Sequence, residues 1–227
     1  MARAMPPKPR VNAPKRAPVD PAARRQRLML YALAASGLVA LALVVVVMAA
    51  TSGGSGAIDE GRVRSAATDA GCTYLSKPAV KPRSHTVQPD GRSPLWNTVP
   101  PTSGPHYAVP AVWGAYAEPL QQARVVHNLE HGGIFIQYGK DVPASTVQEL
   151  RSFYDDHTRG TLLAPLPSLG KQIAVGAWTA PEDDPDNGTV HLMKCETFDD
   201  ASFSAFFDEL QFKGPERFPA DTLLPGH

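Results

Sequence analysis

The chain lacks a surplus of positive charge outside its first 27 residues, which argues against a nucleic acid partner. The 227-residue sequence contains 22 Lys and Arg residues and 22 Asp and Glu residues. Residues 1–27 hold eight of the basic residues and one acidic residue, Asp20, so the remainder has 14 basic and 21 acidic residues and a net charge of −7. Nucleic acid binding needs clustered Lys and Arg to neutralise phosphates, and we expect none here.

Charged residues are also absent from the 23 residues Leu28–Ala50. As an α-helix this segment would extend about 34 Å, enough to cross a hydrocarbon core of roughly 30 Å. A helix in a soluble core would show a polar face at 3.6-residue spacing, whereas only Ser36 and Gly37 interrupt the apolar run. The sequence therefore predicts one transmembrane helix at residues 28–50.

The basic residues before this helix predict its orientation. Positively charged segments are retained in the cytoplasm, so we expect residues 1–27 to form a disordered cytoplasmic tail and the rest to lie outside the plasma membrane. A cleavable signal peptide is the alternative, because Met48-Ala49-Ala50 offers small residues. Its apolar region would normally run about 7–15 residues, which favours a retained anchor.

Cysteine is scarce, and both cysteines, Cys72 and Cys195, lie in the part predicted to be exported. Disulfides form and persist in oxidising compartments. We therefore expect a Cys72–Cys195 disulfide. Two free thiols or two metal ligands are the alternative.

The exported part shows no internal repeat and fits one domain of ordinary size. We expect a linker at residues 51–70, where Gly and Ser are frequent, a domain at 71–214, and a frayed proline-rich tail at 215–227. Residues 77–119 contain many prolines and isolated aromatics without helical or strand periodicity, which predicts a long, ordered, irregular segment over the core.

Local patterns predict an α+β fold. The predicted elements are a strand at Ile134–Tyr138, a helix of about 13 residues that begins near Ser145, strands at Gln172–Thr179 and Thr189–Cys195 joined as an antiparallel hairpin, and a helix from Asp199 or Asp200 to near Gly214. The order β-α-β-β-α indicates an α/β sandwich with helices on one face of a mainly antiparallel sheet, as in a variant of the ferredoxin-like arrangement.

The densest chemical signal is His127-Asn128-Leu129-Glu130-His131, which has the H-x-x-E-H spacing of an inverted zinc-protease motif. Such a site needs a long helix that places both histidines on one face as ligands and the carboxylate as a general base. Here Gly132-Gly133 follows at once and no downstream acidic ligand motif is evident. The context argues against a protease, and a hydrolase that uses these residues is kept as an alternative.

A second signal is the peptide at residues 100–107, PPTSGPHY, where Gly104-Pro105 predicts a tight turn beside His106. A rigid turn can hold an imidazole with little loss of entropy when a ligand binds. A packed structural corner is the alternative.

These peptides, together with Arg83-Ser84-His85, resemble a family of membrane-anchored bacterial proteins, common in actinobacteria, that has a domain-of-unknown-function label. The resemblance covers roughly residues 72–210, and the TSGPHY and HNLEHGG motifs are its most specific part. It implies an extracytoplasmic domain tethered to a membrane. It implies no activity, substrate or catalytic residue.

Two other groups of residues have simpler explanations. His191, Met193 and Cys195 share one face of a predicted strand and form a ligand set that suits copper, but a disulfide at Cys195 would leave Met193 as a core residue. Ser103, His127 and Glu130 could form a catalytic triad, but a G-x-S-x-G motif is missing.

We therefore predict a non-enzymatic extracytoplasmic domain that binds copper or zinc. The predicted ligands are His106, His127, His131 and His85, with Glu130 as an outer acceptor that orients one imidazole. The alternatives are a structural or interaction module with a cell-envelope protein as partner, in which these side chains satisfy buried backbone groups, and the hydrolase.

Overall fold

The computed structural model describes residues 57–81 and 83–227. The predicted cytoplasmic tail and transmembrane segment lie outside these residues. Within the described residues, no helix combines the length and the apolar character needed to cross a membrane.

The described part contains four α-helices and six β-strands, which confirms the predicted α+β class. The helices are α1 (Glu60–Asp69), α2 (Gln122–Glu130), α3 (Ala144–Asp156) and α4 (Asp200–Leu210). The strands are β1 (Thr73–Pro78), β2 (Gly114–Ala115), β3 (Ile134–Tyr138), β4 (Thr161–Pro165), β5 (Ile173–Thr179) and β6 (Thr189–Cys195). Short 3₁₀ helices occur at Pro167–Leu169 and Ala220–Thr222.

The six strands form one mixed sheet in the order β1-β6-β5-β3-β4-β2. Strands β1, β6, β5 and β3 pair antiparallel, and β4 pairs parallel with both β3 and β2. Helix α3 supplies the crossover that a parallel β3–β4 pair requires. The predicted β5–β6 hairpin is confirmed, and β3 has the predicted bounds.

Side chains alternate along the strands and build a core on each face of the sheet. Ile134 and Ile136 of β3 pack on the face that α1, α3 and α4 cover, whereas Phe135 packs on the opposite face with α2 and Trp113. The prediction that all helices lie on one face, and with it the ferredoxin-like variant, is therefore wrong. Helix α2 was not predicted because it is short and because its two β-branched valines, Val125 and Val126, have a low helix propensity.

Helix α4 follows its sequence pattern closely. The side chain of Asp199 accepts a hydrogen bond from the backbone N–H of Ser202 at 2.8 Å and caps the first turn. The apolar stripe of α4 is buried and consists of Phe203, Phe206, Phe207 and Leu210.

The disulfide joins Cys72, just before β1, to Cys195 at the end of the neighbouring strand β6, with 4.4 Å between the Cα atoms. The antiparallel pairing of these two strands brings the two cysteines together. The predicted disulfide is confirmed.

Both ends of the described part are more ordered than the sequence suggests. Helix α1 lies in the predicted linker and buries Val63 and Ala67 completely. In the predicted frayed tail, Leu223 is buried and its carbonyl accepts a hydrogen bond from the N–H of Gly160 at 2.8 Å. The proline content of the tail limits helix and strand formation, but its free backbone groups still pair with the domain.

Residues 79–81 and 83–113 are irregular, as predicted, and pack against the face that carries α2. Buried residues in this segment include Thr98, Thr102, Ser103, His106 and Ala111. The segment thus forms part of the core on this face of the sheet.

Candidate metal-binding site

The H-x-x-E-H motif lies on the last turn of α2, with His131 as the C-terminal cap residue. The motif is therefore helical, but the helix is nine residues long and ends at Glu130, so it is not the long helix that a protease site needs. Val125 and Leu129, spaced i and i+4, are fully buried and fix the face that α2 turns towards the sheet. The same spacing puts His127 and His131 on one side of the helix. The regular spacing of these two pairs was the signal that could have predicted α2.

Asn128 ties the irregular segment to α2. Its side-chain oxygen accepts a hydrogen bond from the N–H of Ala111, and its side-chain NH₂ donates to the carbonyl of Ala111, both at 2.8 Å. Gly133, directly after the motif, packs against the indole of Trp113, and a Cβ atom at this position would overlap that ring. The motif thus contains structural residues as well as chemically active ones.

His106 is held by the predicted turn. Gly104 has a φ of +99°, a conformation that glycine adopts without strain. The N–H of His106 donates to the carbonyl of Ser84 at 2.8 Å, which brings His85 near. The Nδ1 atom of His106 lies 2.8 Å from the carbonyl oxygen of Gly104. Since a carbonyl only accepts, Nδ1 carries the proton and Nε2 faces the interior.

His127 is oriented in the same way. Its Nδ1 lies 2.6 Å from the carbonyl oxygen of Tyr107, so Nδ1 is the donor and Nε2 is left for a ligand. The ring centroids of His106 and His127 are 4.9 Å apart, and His85 stacks on His127 at 5.4 Å.

Four side chains converge at this point: His85, His106, His127 and Glu130. One ligand atom from each lies within 4.8 Å of the others. Three of the four side chains are buried, and His85 is exposed. This group of side chains, defined here as the inner group, could hold a metal ion.

The contact between His106 and Glu130 is close but is not an aligned hydrogen bond. The Nε2 atom of His106 lies 2.9 Å from Oε2 of Glu130, yet Nε2 is buried without a hydrogen-bond partner. The carboxylate oxygen therefore lies to the side of the direction in which Nε2 points. The contact is compatible with two side chains that both point at a third atom.

Glu130 is ionised although it is 3 % exposed. Burial raises the pKa of this carboxyl, but a proton on Nε2 of His106, which would face the carboxylate, and the positive charge of Arg83 outweigh burial and bring the pKa below its ordinary value. The Nη1 atom of Arg83 lies 3.3 Å from Oε1 of Glu130, and Nη2 lies 3.1 Å from Oδ1 of Asp186.

Burial is also the main reason that the pKa values of His127 and His131 are lowered. For His131 the neighbouring His127 adds to this effect. Both imidazoles are therefore neutral near pH 7, which is the form that ligates metal ions.

His131 belongs to a second group, defined here as the outer group, which consists of His127, His131 and Glu216. The Nε2 atoms of His127 and His131 are 3.0 Å apart, and Nε2 of His131 lies 3.6 Å from Oε2 of Glu216. Sequence reasoning missed Glu216. Only tertiary structure places it here, because its N–H donates to the carbonyl of Glu130 at 2.9 Å.

A cleft of about 690 Å³ opens beside these groups. Its lining includes Arg83, His85, Glu130, Trp178, Asp186 and Glu216. The cleft is thus lined by two members of the inner group, His85 and Glu130, and by one member of the outer group, Glu216.

Other candidates from the sequence lie in structural positions. The Ser103 hydroxyl accepts a hydrogen bond from the N–H of Val80 at 2.9 Å, and among the described residues no hydrogen bond joins it to His127 or Glu130. His191 lies between the hydroxyls of Tyr74 and Thr179, at 2.7 and 2.8 Å. These contacts support neither the triad nor the copper set on β6.

The fold and the site define a disulfide-bonded α+β domain with a mostly buried cluster of histidine and glutamate side chains. The chain belongs to the family described as Protein of unknown function (DUF3105), whose model matches residues 91–222. The predicted resemblance to a domain-of-unknown-function family is confirmed to this extent. No curated protein and no solved structure matches the chain. The matched region includes every residue of the two groups except His85.

Proposed function

We propose that this domain binds one divalent transition-metal ion through His85, His106, His127 and Glu130. The observation that carries the proposal is the Nε2 atom of His106, which is buried without a hydrogen-bond partner beside an ionised carboxylate. An unsatisfied buried polar group costs roughly 1–3 kcal/mol. A metal ion bound between the side chains would satisfy this atom.

The spacing of the ligand atoms fits a site that closes slightly on its ion. Zinc–nitrogen bonds of about 2.0–2.1 Å in a tetrahedron place neighbouring ligand atoms about 3.3 Å apart. The inner group spans up to 4.8 Å, so some ligands must move by roughly 1 Å when the ion binds. His85 has the most room for this movement because it is the exposed member.

The chemistry of the ligands favours zinc or copper(II). Imidazole nitrogens suit both ions, and copper(I) prefers thiolate and thioether ligands. The disulfide occupies both cysteines, so neither offers a thiolate.

The surroundings of the group fix the orientation of the ligands. The carbonyls of Gly104 and Tyr107 accept hydrogen bonds from the Nδ1 atoms of His106 and His127. Partners of this kind set the tautomer and raise the basicity of the ligating nitrogen. Arg83 engages Oε1 of Glu130 and leaves Oε2 for the ion. Glu130 is thus proposed as a direct ligand, whereas the sequence suggested an outer acceptor.

We also propose that the domain faces the outside of the plasma membrane, anchored by residues 28–50. The charge distribution of residues 1–50 supports this topology. The disulfide fits an oxidising compartment. A cell-envelope protein is a candidate partner.

A metal-dependent hydrolase is the second candidate, and the outer group favours it. Two histidines and one glutamate are the zinc ligands of several hydrolases, and Glu130 on α2 occupies the position of a general base. The Arg83 ion pair and the His106 contact argue against this role, because they hold the carboxylate in place. Hydrolysis of model peptides or esters by the zinc-loaded protein, lost in Glu130→Gln with zinc still bound, would favour this candidate.

The test of metal binding uses the full chain, purified without an affinity histidine tag. We expect one equivalent of zinc or copper by metal analysis and by titration calorimetry. His106→Gln and His127→Gln should each lower the affinity about 100-fold, or roughly 3 kcal/mol.

His157→Gln is the matched control. Its Nδ1 bonds the carbonyl of Phe153 at 2.8 Å, at the end of α3, and the affinity of this variant should equal that of the wild type. If the wild type shows no saturable binding below about 1 mM, an affinity of about 4 kcal/mol, the histidines are structural and the proposal is wrong.

A further inference from the structure

His127 is a member of both the inner and the outer group, but it has one nitrogen to offer. Its Nδ1 donates to the carbonyl of Tyr107 at 2.6 Å, which leaves Nε2 as the ligand atom. An imidazole nitrogen has one lone pair and binds one metal ion at a time. The two groups therefore cannot both use His127 for separate ions.

The outer group offers a complete set of three ligands. Nε2 of His131 lies 3.0 Å from Nε2 of His127 and 3.6 Å from Oε2 of Glu216. With Nδ1 of His127 protonated, His131 donates the proton in the histidine contact. An ion placed among these three side chains would replace that hydrogen bond.

The chain itself holds the outer ligands in position. The backbone of Glu216 is fixed to the end of α2 by the hydrogen bond to the carbonyl of Glu130. The ring of His131 packs on Phe218, with 4.3 Å between the ring centroids. These contacts lie at the end of α2 that also carries the inner group.

The two groups differ in exposure. The side chain of Glu216 is 53 % exposed and that of His131 is 14 % exposed, whereas those of His106 and Glu130 are 0 % and 4 % exposed. His85 is the one exposed member of the inner group, and it carries no negative charge to attract a cation. An ion from solvent therefore meets the carboxylate of Glu216 before it meets the buried pair of His106 and Glu130.

We infer that the domain has two metal positions that share His127 and are filled one at a time, the outer one receiving a divalent transition-metal ion that then moves to the inner one. This inference rests on the proposed function of the inner group. In the transfer, the ion exchanges His131 and Glu216 for His106, Glu130 and His85 while it stays bound to His127. A carboxylate and a histidine at the entrance speed uptake, and four ligands inside give the final affinity.

The experiment uses the full chain and Co²⁺, whose visible absorption reports its coordination, with Zn²⁺ as competitor. The wild type should bind one equivalent. Glu216→Gln should slow uptake about 10-fold, because a negative charge in a cleft attracts cations. Its equilibrium affinity should stay within about threefold of the wild type, since the inner ligands are intact. His157→Gln is the control for both measurements.

A second pair of variants tests the outer position at equilibrium. His106→Gln should retain weak binding with an altered Co²⁺ spectrum, and His106→Gln with Glu216→Gln should lose that remainder. Because Glu216 is exposed, Glu216→Gln should fold like the wild type. Circular dichroism checks this.

The outcomes distinguish the shared position at His127 from metal binding itself. Two tightly bound equivalents in the wild type would overturn the shared position. An unchanged rate of metal uptake in Glu216→Gln would also overturn it. The same holds if the residual binding of His106→Gln is unchanged when Glu216→Gln is added. In each of these cases metal binding itself stands. Absence of saturable binding in the wild type would instead remove the proposed function and this inference together.

Discussion

Arg83 holds one carboxylate oxygen of Glu130, with 3.3 Å between Nη1 and Oε1, and leaves the second oxygen beside His106. This arrangement places a negative charge in a largely buried position and directs one of its oxygens at the imidazoles. Asp186 shares the guanidinium, so the local balance of charge does not depend on Glu130 alone. The consequence is a carboxylate oxygen with a fixed direction.

The first prediction concerns this carboxylate. Glu130→Gln keeps the size of the side chain but removes its charge, and the affinity for Zn²⁺ should fall by about 100-fold or more. A residue that only orients an imidazole would cost about 10-fold to 100-fold. Competition with a chromophoric chelator measures the change. Asp186→Asn, which alters the other partner of Arg83, is the control and should change the affinity little.

The second prediction concerns the disulfide. In the chain-entropy account a closed loop of more than 100 residues is worth about 5 kcal/mol. Reduction, or the double variant Cys72→Ala and Cys195→Ala, should therefore lower the melting temperature by roughly 10–20 °C. Calorimetry with and without reductant checks this. An unchanged melting temperature after complete reduction would contradict it.

The third prediction concerns His191, which is fully buried. Burial lowers its pKa to about 4 from the ordinary value of 6.5. The unfolded chain therefore binds a proton as the pH falls through 6.5, while the folded chain does so only near pH 4. His191 therefore contributes about 3 kcal/mol to the free energy of unfolding above pH 6.5. This contribution should be lost as the pH falls from 6.5 to 4.

Urea denaturation between pH 7 and pH 4 measures this contribution. His191→Gln can still form hydrogen bonds with Tyr74 and Thr179 but has no proton to gain, so its stability should fall less steeply with acid. His127 and His131, whose pKa values are also lowered, contribute in the same direction and remain in this variant. Equal slopes for the wild type and His191→Gln would contradict the assignment.

The fourth prediction compares two glycines. A Cβ atom at Gly133 would overlap the indole of Trp113 and lie 2.8 Å from the carbonyl oxygen of Gly160, so Gly133→Ala should cost more than about 3 kcal/mol. Gly71 has a φ of +70° but nothing within 4 Å of its Cβ position, and Gly71→Ala should cost about 1 kcal/mol. Similar costs in denaturant unfolding would show that the packing of Trp113 is looser than described.

The fifth prediction concerns topology. A reporter that is active only outside the cytoplasm, fused after His227, should be active, because eight basic residues precede the apolar segment. Activity of a cytoplasm-only reporter at the same position would reverse the orientation.

Elements with a local signal could be predicted from the sequence. Strand β3, helix α3, the β5–β6 hairpin and helix α4 each have a capping residue, a turn or a regular apolar pattern within a few neighbouring residues. Strands β1, β2 and β4 and helices α1 and α2 were missed, since they are short and tertiary contacts stabilise them. The two-sided sheet could not be predicted without α2.

The candidate site, too, could be predicted only where neighbouring residues carry a local signal. His106 and His127 could be proposed because each lies beside an unusual local sequence, and the structure brings them together with His85 and Glu130. Glu216 is an ordinary acidic residue in a proline-rich segment, and only the folded chain places it at the end of α2. The distinction between an inner and an outer group depends on the direction of single ring nitrogens, which sequence patterns do not contain.

The disulfide has a further consequence for the integrity of the site. It converts residues 72–195 into a covalent ring, and this ring carries His85, His106, His127, Glu130 and His131. A protease that cuts once within the ring, for example in the turn between β5 and β6, opens it without separating the pieces. Every side chain of the inner group then stays covalently attached to the N-terminal part of the chain. Such a cut would be visible on a gel only after reduction.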